Sequence, residues 1–386
     1  MVSRQLVMIC CAFVVDPLVM TSYSPLVPAI KSTFAADITL VALSTTFHML
    51  PLALLCLFSG TVSDLYDRPT ILMYGLFTSA IGSLLGALAP SIEVFLLSRS
   101  IQGTGSALIM PIALALIGDI TPPEAMGKAI GFNAMFNALF STSLGPLISG
   151  FLGDINWRLV ALYLSAYCLS IGVFSRIVLR GMGATSEPGS LRRVLHRIQW
   201  VVRNRNIVLL GAVGFISMFA WSGVQPLISD TLSLPPFSLK ESEIGTTYSI
   251  IGFTSIAFAY LGGILTDRLG AKTNMIFGLA MNILPVFLLT LVSSYWPYLV
   301  LLAAQGGFMR VMQISRSTLT IGLMPEARGS VSSIVQFASF LGFSMSPILM
   351  PQIYVAAGIN AVYLTNVGLL LAALALIAFI RIDQST

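Results

Sequence analysis

Twelve apolar runs follow one another along this chain with little between them: residues 5–30, 39–61, 70–89, 93–118, 127–150, 158–179, 206–230, 243–265, 273–293, 297–322, 329–353 and 358–380. A membrane-crossing helix needs roughly 20 predominantly apolar residues. In lipid, backbone polar groups can be satisfied only in helices or closed barrels, and runs this long are helices. Charge agrees, since 9% of the residues are charged against about 25% in soluble domains. The chain therefore reads as an all-α integral membrane protein. Its net charge of +5 does not point to nucleic acid, because the charges lie in short connections. Cys10, Cys11, Cys56 and Cys168 sit inside apolar runs without metal-like spacing. They read as packing residues, with no disulfide and no metal site. The first run shows no small-residue cleavage site before the second begins, so it is kept as a helix rather than a signal peptide.

Lys and Arg set the orientation. With the N-terminus inside, fourteen of the 20 basic residues fall on the cytoplasmic side, half of them between Arg176 and Arg205. Lys31, Arg158 and Lys240 fall outside, and Arg99, Arg310 and Arg316 lie within helices. Both termini are then expected in the cytoplasm of a cell membrane, plasma or bacterial inner. The longest polar stretch, 180–205, is rich in Arg, Gly and Ser. It reads as a cytoplasmic linker, partly an amphipathic helix around Leu191–Val202 touching anionic lipid headgroups. The expected division is an N-terminal bundle 1–180, a basic linker 181–205 and a C-terminal bundle 206–386.

The two parts resemble each other. Gly60 to Asp64 recurs as Gly263 to Asp267, and Gln102-Gly103 as Gln305-Gly306, both 203 residues later. "PEAMG" at 123–127 recurs as "PEARG" at 325–329, and Pro146 falls close to Pro347. A duplicated six-helix unit explains these matches. Two such units in parallel orientation make twelve transmembrane helices in two pseudo-symmetric bundles, the architecture of a rocking transporter.

Over essentially its whole length the sequence resembles the major facilitator superfamily. That family carries a loop motif, G-x-L-x-D-[R/K]-x-G-R-[R/K], between its second and third helices. Here Gly60, Asp64 and Arg68 match, while Asp67 and Pro69 replace a Gly and a basic residue. The second copy keeps Gly263, Asp267 and Arg268, with Gly270 and Lys272. The resemblance implies a conformational latch: a small Gly lets helices approach, and a carboxylate at a helix end accepts from N–H groups or pairs with Arg. The alternative is a solvated turn with topology charges. In the fifth run Gly145, Pro146 and Gly150 match the motif of drug/proton antiporters, with Ser149 in place of a Gly. This implies an exporter with a smooth, kinkable helix face; the alternative is a generic Gly-Pro kink. The first run is similar to that of the bicyclomycin-resistance type through Tyr23, Pro25 and Pro28, with Thr21 at that family's Asp position.

An acid stands five residues earlier. Asp16 lies twelve residues beyond Arg4, roughly 18 Å of helix rise and close to mid-bilayer. Arg99 in the fourth run is costly in lipid unless it faces a cavity or a carboxylate. Burial and a nearby charge move a carboxyl's proton affinity in opposite directions, so Asp16 is the leading site of proton coupling, with Arg99 its modulator. Permanent Asp16–Arg99 pairing is the alternative. His48 is the weaker candidate and could be an ordinary packing residue. Arg310 near the midplane would attract an anion; the alternative is that Arg310 pairs with Asp16 and Arg316 snorkels toward the cytoplasm. Tyr23, Trp221, Gln225, Tyr248, Gln313 and Gln336 join Arg310 as candidate substrate contacts.

Two His and scattered acids form no catalytic cluster, and no phosphate-binding Gly-rich loop is present. An enzyme and an ATP-driven pump are therefore set aside. A channel needs no duplicated gating cassette, and a receptor leaves the two equal halves unexplained. The expectation is a proton-coupled secondary transporter exporting small amphipathic organic compounds by alternating access, as a monomer without cofactors. The alternative is a dedicated carrier for one organic-anion metabolite. The orientation is testable with impermeant thiol reagents outside intact cells: Ser190→Cys should escape labelling and Ser238→Cys should react, and the reverse pattern refutes the topology.

Overall fold

Every regular element among the described residues is helical. The computed structural model describes residues 3–65, 67–180, 199–324 and 328–380, with side chains throughout these except at 58–65, 123 and 328–329. Most of the expected linker lies outside the described residues, as does the side chain of Asp64 in the first cassette. The first half contributes α1 (Arg4–Phe34), α2 (Ile38–Leu65), α3 (Arg68–Leu88), α4 (Ile92–Ile120), α5 (Met126–Asn156) and α6 (Arg158–Val178). The second contributes α7 (Arg205–Ser233), α8 (Glu241–Leu269), α9 (Ala271–Leu291) and α10 (Tyr295–Leu323). A last helical stretch, Arg328–Ala378, is broken at Gly358, whose φ of 77° and ψ of 179° leave the helical region. It therefore counts as α11 (328–357) and α12 (359–378), giving twelve membrane-spanning helices.

The duplication is visible in the helix ends. Ile38, Arg68 and Ile92 begin helices in the first half, and Glu241, Ala271 and Tyr295 begin theirs 203 residues later in each case. The ends differ in chemistry. Asp67 caps α3 by accepting from the Thr70 N–H at 3.0 Å, with Pro69 in the first turn. At the same place in the repeat Gly270 has φ 81°, in the left-handed region that disfavours a β-carbon. The residue that interrupts the expected motif in the first copy is thus a helix cap.

The helices form two compact units: Met1–Leu191 together with Leu239–Ser249, and Arg192–Ser238 together with Ile250–Thr386. The first turns of α8 thus group with the first six helices, which the division at 206 did not anticipate. The reason is local. A β-carbon on Gly150 would lie 2.5 Å from the Glu241 carbonyl oxygen and 3.0 Å from the Gly245 Cα. The Ser242 N–H donates to Asp154 Oδ1 at 3.0 Å.

Inside each unit small residues let backbones touch, as expected where lipid gives helices no hydrophobic reason to associate. A β-carbon on Gly75 would be 2.9 Å from the Gly105 carbonyl, and one on Gly105 would be 2.6 Å from the Gly75 carbonyl, so α3 and α4 cross there. Gly103 seats α4 on α2, and a β-carbon there would overlap the His48 carbonyl. In the second unit Gly278 brings α9 so close to α10 that a β-carbon there would lie 2.8 Å from the Met312 N. Beside it Asn274 Nδ2 donates to Gly262 O, Thr266 Oγ1 and Ser315 Oγ at 2.9, 2.8 and 2.8 Å, tying α8, α9 and α10.

The helical glycines give an internal contrast. Gly103→Ala must push α4 off the α2 backbone, with an expected loss of about 1–3 kcal/mol. Gly263→Ala meets nothing within 4 Å and should be neutral or stabilising by up to about 1 kcal/mol. Thermal unfolding of the two purified variants checks this, and equal melting temperatures would contradict the contact.

Candidate functional site

Three prolines, Pro17, Pro25 and Pro28, divide α1. It runs as Arg4–Phe13 and Val15–Ser22, then a 3-10 turn Ser24–Leu26, then Val27–Phe34. Pro17 has no N–H to offer the turn before it, and the helix is interrupted close by, near Asp16. Asp16 is 3% exposed and His48, on α2, is fully buried. Asp16 Oδ1 and His48 Nε2 are hydrogen-bonded at 2.9 Å. His48 Nδ1 is buried without a partner.

One turn along both helices lies a second rung. Met20 follows Asp16 by four residues and Ser44 precedes His48 by four, and both receive Arg99 of α4. Arg99 Nη2 reaches Met20 Sδ at 3.5 Å, and Nε donates to the Ser44 carbonyl at 3.4 Å. Nη1 donates to Gln102 Oε1 at 2.5 Å, and Gln102 Nε2 donates to Ser83 Oγ at 2.8 Å. The guanidinium carbon lies 4.3 Å from the Tyr23 ring centroid, within range of a cation–π contact. Permanent Asp16–Arg99 pairing is therefore not what the structure holds, because the carboxylate's hydrogen-bond partner is His48. Tyr23, expected among the substrate contacts, is 5% exposed and lies against Arg99. Met20, Ser44 and Ser83 were missed at the sequence level. Nothing in an apolar or small residue announces that it will receive a guanidinium.

The repeat supplies a comparison. Gly103 rests on His48, and Gly306 rests on Ile251, 203 residues on. Ser79 Oγ bonds the Gln102 carbonyl at 3.5 Å, and Asn282 Nδ2 bonds the Gln305 carbonyl at 3.2 Å. In the same register Leu302 stands where Arg99 does. Aligning Pro25-Leu26 with Pro226-Leu227 puts Ser217 opposite Asp16. The second half builds the same helices without the acid, the imidazole or the guanidinium. At that place it has a small cavity lined by Ser217, Trp221, Asn282, Gln305, Met309 and Asn366.

The cassettes and the antiporter motif have their own geometry. Arg68 Nη1 donates to both oxygens of Asp119 at 2.6 and 2.7 Å, joining the start of α3 to the end of α4 within the first unit. In the second cassette Asp267 and Arg268 are exposed at the end of α8. In α5, residues Ala138–Leu144 widen into a π-helix just before Gly145-Pro146. Proline lacks an N–H and crowds the carbonyl four residues back, and the wider turn gives it room. Thr21 Oγ1 donates to the Ser141 carbonyl of this segment at 2.6 Å. A β-carbon on Gly145 would be 2.8 Å from Leu18 Cδ1. The motif's small residues therefore face α1 and the first turns of α8.

The remaining candidates scatter. Tyr248 is 7% exposed and groups with the first unit. Gln225 and Trp221 are half-buried on α7, and Gln336 is exposed on α11. Arg310 Nη1 donates to Gln313 Oε1 at 3.0 Å. Arg316 is 6% exposed, so it does not snorkel. Its Nη1 donates to Ser339 Oγ on α11 at 2.5 Å.

Known proteins agree with this architecture. The family model described as Major Facilitator Superfamily matches residues 9–209 and again 210–386. The uncharacterized MFS-type transporter YwfA of Bacillus subtilis strain 168 is 24% identical over 371 residues, covering 92% of this chain and 86% of its own. The quinolone resistance protein NorA of Staphylococcus aureus is 24% identical over 62% of this chain and 61% of its own. The crystal structure of a point mutant of the nucleoside transporter NupG superposes with a TM-score of 0.81 at 12% identity, over 98% of this chain and 100% of the other. The chain is a membrane transporter and not an enzyme, and it belongs to the major facilitator superfamily.

Proposed function

We propose that this transporter is a proton-coupled exporter of small amphipathic organic compounds, working by alternating access in the cell membrane with both termini cytoplasmic. The observation that carries the reading is the buried Asp16–His48 pair, 2.9 Å apart, with Arg99 one turn away. A fold of this kind does not need the three groups, since the second half forms its copy with Ser217, Ile251 and Leu302 in their places. Ionisable groups inside a membrane-spanning bundle mark proton and ion pathways by default. Here Asp16 carries the transported proton, His48 holds the carboxylate in place and shares its proton, and Arg99 supplies the positive charge one turn away.

The export direction draws on the Gly145, Pro146 and Gly150 stripe and on the name of the relative NorA, a quinolone resistance protein. The cassettes, Gly60, Asp64 and Arg68 with Gly263, Asp267 and Arg268, serve as the conformational latch in this reading. Trp221, Gln225, Tyr248, Arg310, Gln313 and Gln336 are the proposed substrate contacts.

Asp16→Asn tests the coupling, because it removes the titratable group at constant size. In proteoliposomes the variant should still bind substrate, but uphill export driven by a pH gradient should stop. Substrate affinity in the parent should fall as pH falls, and the variant should lose that dependence. His48→Gln should keep binding and slow gradient-driven export by about tenfold or more. Full gradient-driven export by Asp16→Asn would place the coupling elsewhere or make the chain a uniporter.

A further inference from the structure

Helix α10 carries two guanidinium groups in its body, Arg310 and Arg316. Among the described residues neither cation of α10 forms an ion pair with a carboxylate. Burying an uncompensated charge is among the costliest things a protein can do, and more so in a membrane-spanning bundle. Arg316 is nonetheless 6% exposed and seated in a built slot. Ser339 Oγ gives its own proton to the Val335 carbonyl at 2.7 Å, which leaves the hydroxyl oxygen free to accept from Arg316. On α7, Gly214 makes room, since a β-carbon there would collide with Arg316 Nη1.

A guanidinium has five N–H donors in a planar fork. The single hydrogen bond to Ser339 leaves most of them unused. None of the Arg316 nitrogens is among the fully buried atoms that lack a partner, so the unused donors keep surface for an incoming acceptor. Arg310 stands six residues earlier, about 9 Å along the helix. Its bond to Gln313, and the approach of Gln313 Nε2 to Met218 Sδ at 3.9 Å, turn it toward α7 as well. Met218 and Gly214 are one turn apart on that helix. Arg316 lies seven residues inside the end of α10, about 10 Å deeper than the helix terminus.

We propose that Arg316, oriented by Ser339 and Gly214 and flanked by Arg310, is an anion-binding site in the second half that takes the carboxylate or phosphate group of the transported solute. This rests on the export reading for the ligand's being cargo, and it narrows that cargo to compounds with an anionic oxygen group. A carboxylate or phosphate matches the fork with two parallel charge-assisted hydrogen bonds. It supplies the negative charge that the described residues of the second half do not bring to Arg316.

The test is equilibrium binding, with no pH gradient present. The purified full-length chain in phosphatidylcholine nanodiscs is titrated with 2-naphthoate, with its uncharged twin 2-naphthamide and with inorganic phosphate, following thermal unfolding. Naphthoate should raise the melting temperature saturably and naphthamide should not. Arg316→Gln should weaken naphthoate binding by about tenfold or more. Arg316→Lys keeps the charge without the fork and should fall between the two. Ser339→Ala and Gly214→Ala, which leave the cation in place, should weaken binding less than Arg316→Gln. The proposal is overturned by equal affinity for naphthoate and naphthamide, by no response to naphthoate or phosphate, or by undiminished naphthoate binding in a monodisperse Arg316→Gln protein. It is also overturned if phosphatidylglycerol nanodiscs stabilise the parent but not Arg316→Gln and abolish naphthoate binding, since the anion is then a lipid headgroup. Asp16→Asn should keep the preference for naphthoate over naphthamide, so failure of proton coupling and failure of the anion site are read separately.

Discussion

Arg99 lies against Tyr23, Met20, the Ser44 carbonyl and Gln102 at once, and it can do so only because Gly103 brings α4 down onto the α2 backbone. The two facts are one constraint. A guanidinium in a membrane-spanning helix needs several acceptors within a few ångströms, and a helix pair held apart by an ordinary side chain does not supply them. The close α2–α4 crossing also sets where His48 stands, and so where Asp16 finds its partner. The broken course of α1 follows from the same place, because Pro17 interrupts the helix beside the carboxylate. Much of the first half's polar interior thus hangs on one glycine contact and the cation next to it.

The second half keeps the frame and changes the contents. Gly306 still seats α10 on α8, and Asn282 still bonds the Gln305 carbonyl, but the ionic trio is replaced by a hydroxyl and two aliphatic chains. The cations of this half lie further along α10, where Gly214 and Ser339 make a slot that has no counterpart among the first-half contacts. A duplicated bundle has therefore been given two unlike polar interiors. Proton chemistry belongs to the Asp16 side and anion recognition to the Arg316 side in the functions proposed above.

The helices were legible because lipid permits few alternatives. Run length and apolarity located α3 and α6 within a residue or two, and the 203-residue offset in the sequence reappears in the helix starts. The ends of α1 and α5 were placed too early, because polar residues such as Lys31 and Asp154 look like loop but fit the last turns of a helix at the interface. The site was legible only in part. Asp16 and Arg99 stand out as charges in apolar runs, but their separation in space could not be read, because two charges that could pair in sequence need not share a rung. His48 looked like a packing residue until Asp16 was found 2.9 Å away. Arg316 does not snorkel because Gly214 leaves room for it in the interior, and the contribution of Gly214 is an absent side chain that no sequence pattern announces. Asp67 looked like a lapse in a motif and is a helix cap.

One residue separates α11 from α12. Gly358 turns the backbone out of the helical region and the chain resumes helix at once, so the joint has no slack. A connection of several residues would absorb a tilt or a slide of one helix without moving the other. Here a displacement of α11, which holds Ser339, must be taken up by rotation about the two soft torsions of Gly358 or be handed to α12. The pair is a bent lever with a single pivot. Whatever part of an α11 displacement Gly358 does not absorb is felt on α12, at Asn366 and the cavity it lines.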